Sequence, residues 1–192
     1  MKYILGFVLL LCCFTSCNHK TESDAAEQIF KKLKDKEAGI SMMINGEEFY
    51  PAGSIFKGQV KITDQLVSLM LMDTNESRLM IDLGGENWFK TFPVVREFKT
   101  GKSEVASVKI GKMKDRIKMI GEGYMLVDGT LTLRELTNEK LVFSIKGDVG
   151  KYSDFQQPDK LYPVEGWIVY KKPDMHFENI TEAEIIKNEK VK

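Results

Sequence analysis

The chain has 192 residues, 43% of them apolar and 29% charged, with 28 basic residues balanced by 28 acidic ones, three Cys and two His. That length and balance describe one globular domain or two small ones, and they exclude a polytopic membrane protein and a strongly basic nucleic-acid binder. Histidine-based acid–base pairs and multi-histidine metal sites lack the residues they need, and no cofactor is expected. In chain order, Met1 and Lys2 precede an apolar run from Tyr3 to Phe14, closed by Thr15, Ser16 and Cys17. A basic start, about a dozen apolar residues and a small-residue end read as a secretory signal peptide over 1–16 and fall short of the roughly 20 residues that span a bilayer.

Phe14-Thr15-Ser16-Cys17 resembles the lipobox of bacterial lipoproteins, in which a small residue precedes the modified cysteine. The resemblance implies cleavage before Cys17, a diacylglycerol thioether on its sulfur and a membrane partner through that lipid. Asn18 rather than Asp follows Cys17, which in such proteins implies transport to the outer membrane, facing either the periplasm or the cell surface. Cleavage would also remove Cys12 and Cys13, leaving no intrachain disulfide to staple the fold.

Residues 17–37 form the next unit: a polar tether, then Ala26, Ile29, Phe30 and Leu33 at three- and four-residue steps, which predict a short amphipathic helix over Ala25–Lys36. Its narrow stripe favours packing on the following domain over lying on the membrane. From 38 to 180 the period changes to two. Phe56, Gly58, Val60 and Ile62 share one face, as do Met125 to Leu133, Leu141 to Val149, and Tyr162 to Tyr170 on odd or even positions. Leu66–Met72 is apolar on nearly both parities and predicts a central strand covered on two sides, with the N-terminal helix on one of them. Asn45-Gly46, Gly84-Gly85 and Thr137-Asn138 mark turns, and Asp128-Gly129 marks a bulge. The expected fold is all-β, an antiparallel sandwich or flattened barrel of about ten short strands with a short N-terminal helix. Glycines on the apolar faces (Gly58, Gly129, Gly147, Gly166) point toward closure through close backbone approach. Residues 181–192 read as a charged tail.

Val127-Asp128-Gly129-Thr130-Leu131, Phe143-Ser144-Ile145-Lys146-Gly147 and Val164-Glu165-Gly166-Trp167-Ile168-Val169 are similar in style to segments of small β-rich lipoproteins of Bacteroidetes-type bacteria. The similarity implies the fold and localisation and assigns no site residues.

Two segments carry binding chemistry. Lys112, Lys114, Arg116 and Lys118 would form one basic face of an extended strand, suited to phosphate, lipid headgroups or acidic glycans; the bland alternatives are a lysine-blunted edge strand or the solvated side of a long hairpin. In the loop from Gly150 to Pro163, Tyr152, Phe155 and Tyr162 alternate with polar residues including Asp154 and Gln156, the ingredients of a sugar site or of rings folded down to close the end of the sandwich. Trp88, Phe89 and Phe92 supply a second lip or fill core. Asp73, Asn75 and Ser77 fit a polar turn better than a calcium loop, since Arg78 stands where the loop needs glycine and Gly84 where it needs glutamate. Met70 and Met72, a spacing that would hold Cu(I), are assigned to core packing. Three function classes follow: first, an exported, lipid-anchored, non-catalytic binding or assembly module with a glycan, lipid or envelope-protein partner; second, a carrier of an apolar ligand; third, a hydrolase of envelope polymers using two carboxylates.

Overall fold

The computed structural model describes residues 22–99, 105–154 and 160–186. Helix α1 (Glu22–Phe30) leads into strands β1 (Glu37–Ile44), β2 (Glu47–Glu48), β3 (Ile55–Thr63), β4 (Leu66–Asp73), β5 (Arg78–Gly84) and β6 (Val94–Phe98). These are followed by β7 (Ala106–Asp115), β8 (Ile120–Leu136), β9 (Lys140–Lys151), β10 (Leu161–Lys171), β11 (Met175–Glu178) and helix α2 (Glu182–Ile185). Eight strands, in the order β3, β4, β5, β7, β8, β9, β10 and β1, pair antiparallel, and β1 returns to β3 through Ala38 opposite Phe56. The sheet therefore closes into a barrel. β11 extends it in parallel beside β3, and β6 lies on the second half of β8, whose first half pairs with β7.

One strand serving two partners in series explains the length of β8, 17 residues, against the short strands expected. β6 has no ladder to β5. Instead the Arg96 guanidinium bridges that seam, its Nε donating to the Gly84 carbonyl at 2.8 Å.

The alternating faces identified in β3, β9 and β10 line the interior, which is filled by Met42, Tyr50, Phe56, Phe143, Tyr170 and layers of Leu and Ile. In β8 the expected face points inward at Leu131 and Leu133 but not ahead of the Leu126–Asp128 register slip, which reverses the parity and buries Tyr124 and Leu126 in place of Met125 and Val127. Buried hydroxyls need partners. Tyr170 donates to the Gly58 carbonyl at 2.6 Å and Tyr50 to the Arg78 carbonyl at 3.0 Å, while burial raises the pKa of both phenols. The glycine expectation holds: Gly129 and Gly147 are direct cross-strand partners with φ of 121° and 152°, and a Cβ on either would collide with the other's Cα and the facing carbonyl. A register slip between Leu126 and Asp128 provides the bulge beside them.

Three expectations are corrected. β4 is covered on one face only: Val67, Leu69 and Leu71 point inward, whereas Met70 is 54% exposed and Met72 also faces solvent, beside Lys57 and Arg78 on the flanking strands. Methionines on an outer wall mimic a doubly buried strand because hydropathy records side-chain type and not direction. The helix covers β9, β10 and β1 instead, burying Ala26 and Leu33 against Val142 and Val169. It ends earlier than Lys36, because Lys36 takes a positive φ and the Glu37 carboxylate accepts from the Lys34 N–H to turn the chain into β1. Phe30 lies between the Lys140 and Lys171 ammonium groups, 5.2 and 5.1 Å from its ring centre, and Lys140 pairs with Glu27 and Glu135. At the other terminus, the start of the expected charged tail forms α2 and buries Ile185 and Ile186 in the barrel core.

Candidate functional site

The basic row and the aromatic loop meet at one mouth of the barrel. β7 is paired on both sides as far as Gly111, opposite Arg78 at the start of β5; beyond it β7 and β8 continue alone as a projecting hairpin. The four basic residues do not make one continuous face, nor is the strand a blunted edge. Lys112 and Lys114 stand on β7, while Arg116 and Lys118 belong to the turn, where the Asp115 carboxylate accepts from the Lys118 N–H at 3.0 Å. Each has found a partner: Lys114 pairs with Glu122 at 2.6 Å, Arg116 with Glu76 at 2.7 Å, Lys118 with Asp115 at 3.8 Å, and Lys112 sits 5.7 Å from the Phe49 ring centre.

Below the hairpin an edge-to-face aromatic ladder closes the mouth, running Phe56, Tyr50, Phe49, Tyr124 and Tyr162 with centroid spacings from 4.9 to 5.7 Å. Tyr162 is part of this closure, with the Lys160 ammonium 5.0 Å from its ring centre. Tyr152 is different. It opens the short turn Tyr152–Asp154 after β9, is 53% exposed, and stands against Gly123, where a side chain would touch its Cβ. Phe155 and Gln156 lie outside the described residues, as does Cys17, and of Asp154 only the backbone is described.

Lys114 and Tyr152, expected in separate sites, thus line one open cleft of about 520 Å³ with Gly121, Glu122, Gly123, Lys151 and Ser153. The two glycines leave its floor flat. Glu122 accepts from Lys114 and from the Tyr124 hydroxyl, 2.6 Å away, and these two bonds, the lysine's first, hold its carboxyl below the ordinary glutamate range. Burial and then that same carboxylate push the Tyr124 phenol up. The cleft therefore presents a fixed carboxylate, an aromatic face, and the Lys151 ammonium, whose charge also acts on Glu122. Lys151 and Glu122 escaped sequence reasoning because Lys151 stands opposite Tyr124 only through the β8–β9 register. The spacing Gly121-Glu122-Gly123-Tyr124 was the available signal.

Elsewhere, the Asp73 carboxylate accepts from the Asn75 and Ser77 N–H groups, both at 2.8 Å, and so caps the β4–β5 turn. Trp88 fills core at the opposite end of the barrel with Phe89 packed on it, and Phe92 is partly exposed beside them. No family model, curated protein or solved structure matches the chain.

Proposed function

We propose that the chain is an exported, lipid-anchored envelope protein whose barrel is a non-catalytic binding module, and that the mouth cleft takes an anionic saccharide. The observation that carries the reading is the exposed Tyr152 ring beside a glycine floor, with Glu122 and Lys151 within the same cleft. Flat sugar faces stack on such rings, a fixed carboxylate accepts from sugar hydroxyls, and the Lys151 ammonium suits an acidic substituent. Glu122 is the one carboxylate lining the cleft among the described residues, which supports binding over two-carboxylate hydrolysis. A barrel also suits the second reading, a carrier of apolar ligands; the large side chains Met42, Tyr50, Phe56, Phe143 and Tyr170 packed inside it favour the binding module. Anchoring is supported by Phe14-Thr15-Ser16-Cys17, and Cys17→Ala is expected to move the protein from membrane to soluble fractions.

The cleft is tested by isothermal titration of acidic and neutral oligosaccharides. Tyr152→Ala is expected to weaken acidic-sugar binding at least tenfold, about 1.4 kcal/mol, while leaving the melting temperature unchanged. Lys151→Gln is expected to lower affinity for acidic sugars alone. Equal affinity of the parent and Tyr152→Ala would refute the site.

A further inference from the structure

The tip of the β7–β8 hairpin is apolar where a solvent-facing turn is ordinarily polar. Ile117 is 96% exposed, Met119 72% and Ile120 50%, and β5 stops short of them, its ladder to β7 ending at Arg78 opposite Gly111. The arm is nevertheless braced, by Arg116 on Glu76 at one flank and Lys114 on Glu122 at the other. Between residues 112 and 122 four basic side chains stand against two acidic ones, and the cations are interleaved with the apolar positions as Arg116, Ile117, Lys118, Met119. Aliphatic side chains with lysine and arginine stems beside them are the composition that enters a bilayer boundary while the charges stay among headgroups.

The direction of α1 gives this arm a place to go. The Leu33 carbonyl accepts from Lys171 at the C-terminal end of β10, while Ala26 lies with Trp167 and Val142 further toward the middle of the barrel. The helix thus runs antiparallel to β10, and its N-terminus points to the mouth from which the hairpin projects. Residues 17–21 span at most about 18 Å, so a lipid on Cys17 would hold that mouth toward the bilayer.

We propose that Ile117, Met119 and Ile120 insert into the acyl–headgroup boundary of the membrane that carries the anchor, as a second attachment point that fixes the orientation of the barrel. The proposal rests on the lipid-anchor reading, and the closing experiment separates the two. The full-length protein isolated from cell membranes is reconstituted into vesicles of three parts phosphatidylcholine to one part phosphatidylglycerol, as the parent, Ile117→Trp, and a control, Gln65→Trp, in the β3–β4 turn at the far end. Phospholipids brominated near the top of the acyl chain are expected to quench most of the emission that Ile117→Trp adds to the parent's and to shift it to the blue, while the emission added by Gln65→Trp is unaffected. Ile117→Glu with Met119→Glu is expected to leave the protein on the vesicles but to let the mouth tumble freely, read as lost anisotropy of a mouth-placed probe. Vesicle flotation with the indole at position 117 as water-exposed as the one at position 65 overturns the insertion while leaving the anchor standing. Quenching of the position 117 indole in a protein whose Cys17 carries no lipid would support the insertion and sink the anchor. Shielding of that indole from acrylamide without quenching by brominated lipid would assign the tip to a protein partner and overturn the proposal.

Discussion

Gly147→Val is expected to abolish folding, and Gly129→Val to do the same, giving chains without a cooperative urea transition by circular dichroism. Both residues hold backbone angles that β-branched side chains do not adopt, with φ of 152° and 121°, a strain of about 1–3 kcal/mol at each site. The steric term is larger, because the colliding partners are backbone. A Cβ at Gly147 meets the Asp128 carbonyl and the Gly129 Cα, and a Cβ at Gly129 meets the Lys146 carbonyl and the Gly147 Cα. Backbone in the middle of a closed ladder cannot move aside without parting β8 from β9, the two longest strands. Strain and overpacking together approach the about 5–15 kcal/mol that holds a whole domain. The control is Gly111→Ala, where the nearest atom to the new carbon is the Arg78 carbonyl oxygen at 3.6 Å; that variant is expected to melt within a few degrees of the parent. If Gly147→Val folded normally, the close approach of β8 and β9 would not be what curves this wall of the barrel.

The same pair shows what the sequence made legible. An inner-face glycine on each of two alternating runs is a local signal with one physical cause, and the runs around Phe56, Phe143 and Ile168 carried their facing in their own period, whereas in the run to Leu133 the slip at Leu126–Asp128 turns Tyr124 and Leu126 inward in place of Met125 and Val127. The rest depended on neighbours far along the chain. Met70 and Met72 looked buried because nothing local distinguishes an apolar wall exposed to solvent from one covered by a helix; only the docking of α1 on β9, β10 and β1 decides it. In Lys112–Ile120 the charge alternation runs on through the turn, since Arg116 and Lys118 keep the parity of Lys112 and Lys114, so one pattern describes a strand and a hairpin equally well. Asp115 was the single local clue, as the residue whose carboxylate caps the turn. Ile185 and Ile186, two apolar residues among charges, are buried in the barrel core, where Asn138 of the β8–β9 turn donates to the Glu182 carboxylate of α2, 44 residues along the chain.

The mouth joins the two proposals into one orientation. The saccharide cleft lies at the base of the hairpin whose tip is apolar, so insertion of Ile117, Met119 and Ile120 would bring Tyr152, Glu122 and Lys151 to the headgroup layer. An acidic sugar presented there, on a glycolipid or on a polymer lying close to the membrane, would reach the site without diffusing around the barrel. The filled interior then serves as a rigid stem that sets the angle between hairpin and cleft.

Removal of Trp88 tests whether the two ends of that stem are independent. Trp88 is buried at the end opposite the mouth, stands edge-on to Phe89 at 5.7 Å and donates its indole N–H to the Thr63 carbonyl at 3.2 Å. Trp88→Ala is expected to destabilise the domain by about 3–5 kcal/mol, through lost burial and the cavity left behind, and to lower its melting temperature by about 10 °C. Trp88→Phe keeps most of the ring and loses the hydrogen bond, for a cost of about 1 kcal/mol. Because neither change touches the hairpin, both variants are expected to bind acidic oligosaccharides with the parent's affinity when titrated well below their melting temperatures. A folded Trp88→Ala protein that had lost binding would move the site to the far end, to Phe89 and the partly exposed Phe92, and the cleft beside Tyr152 would revert to the gap between a braced hairpin and the turn that follows β9.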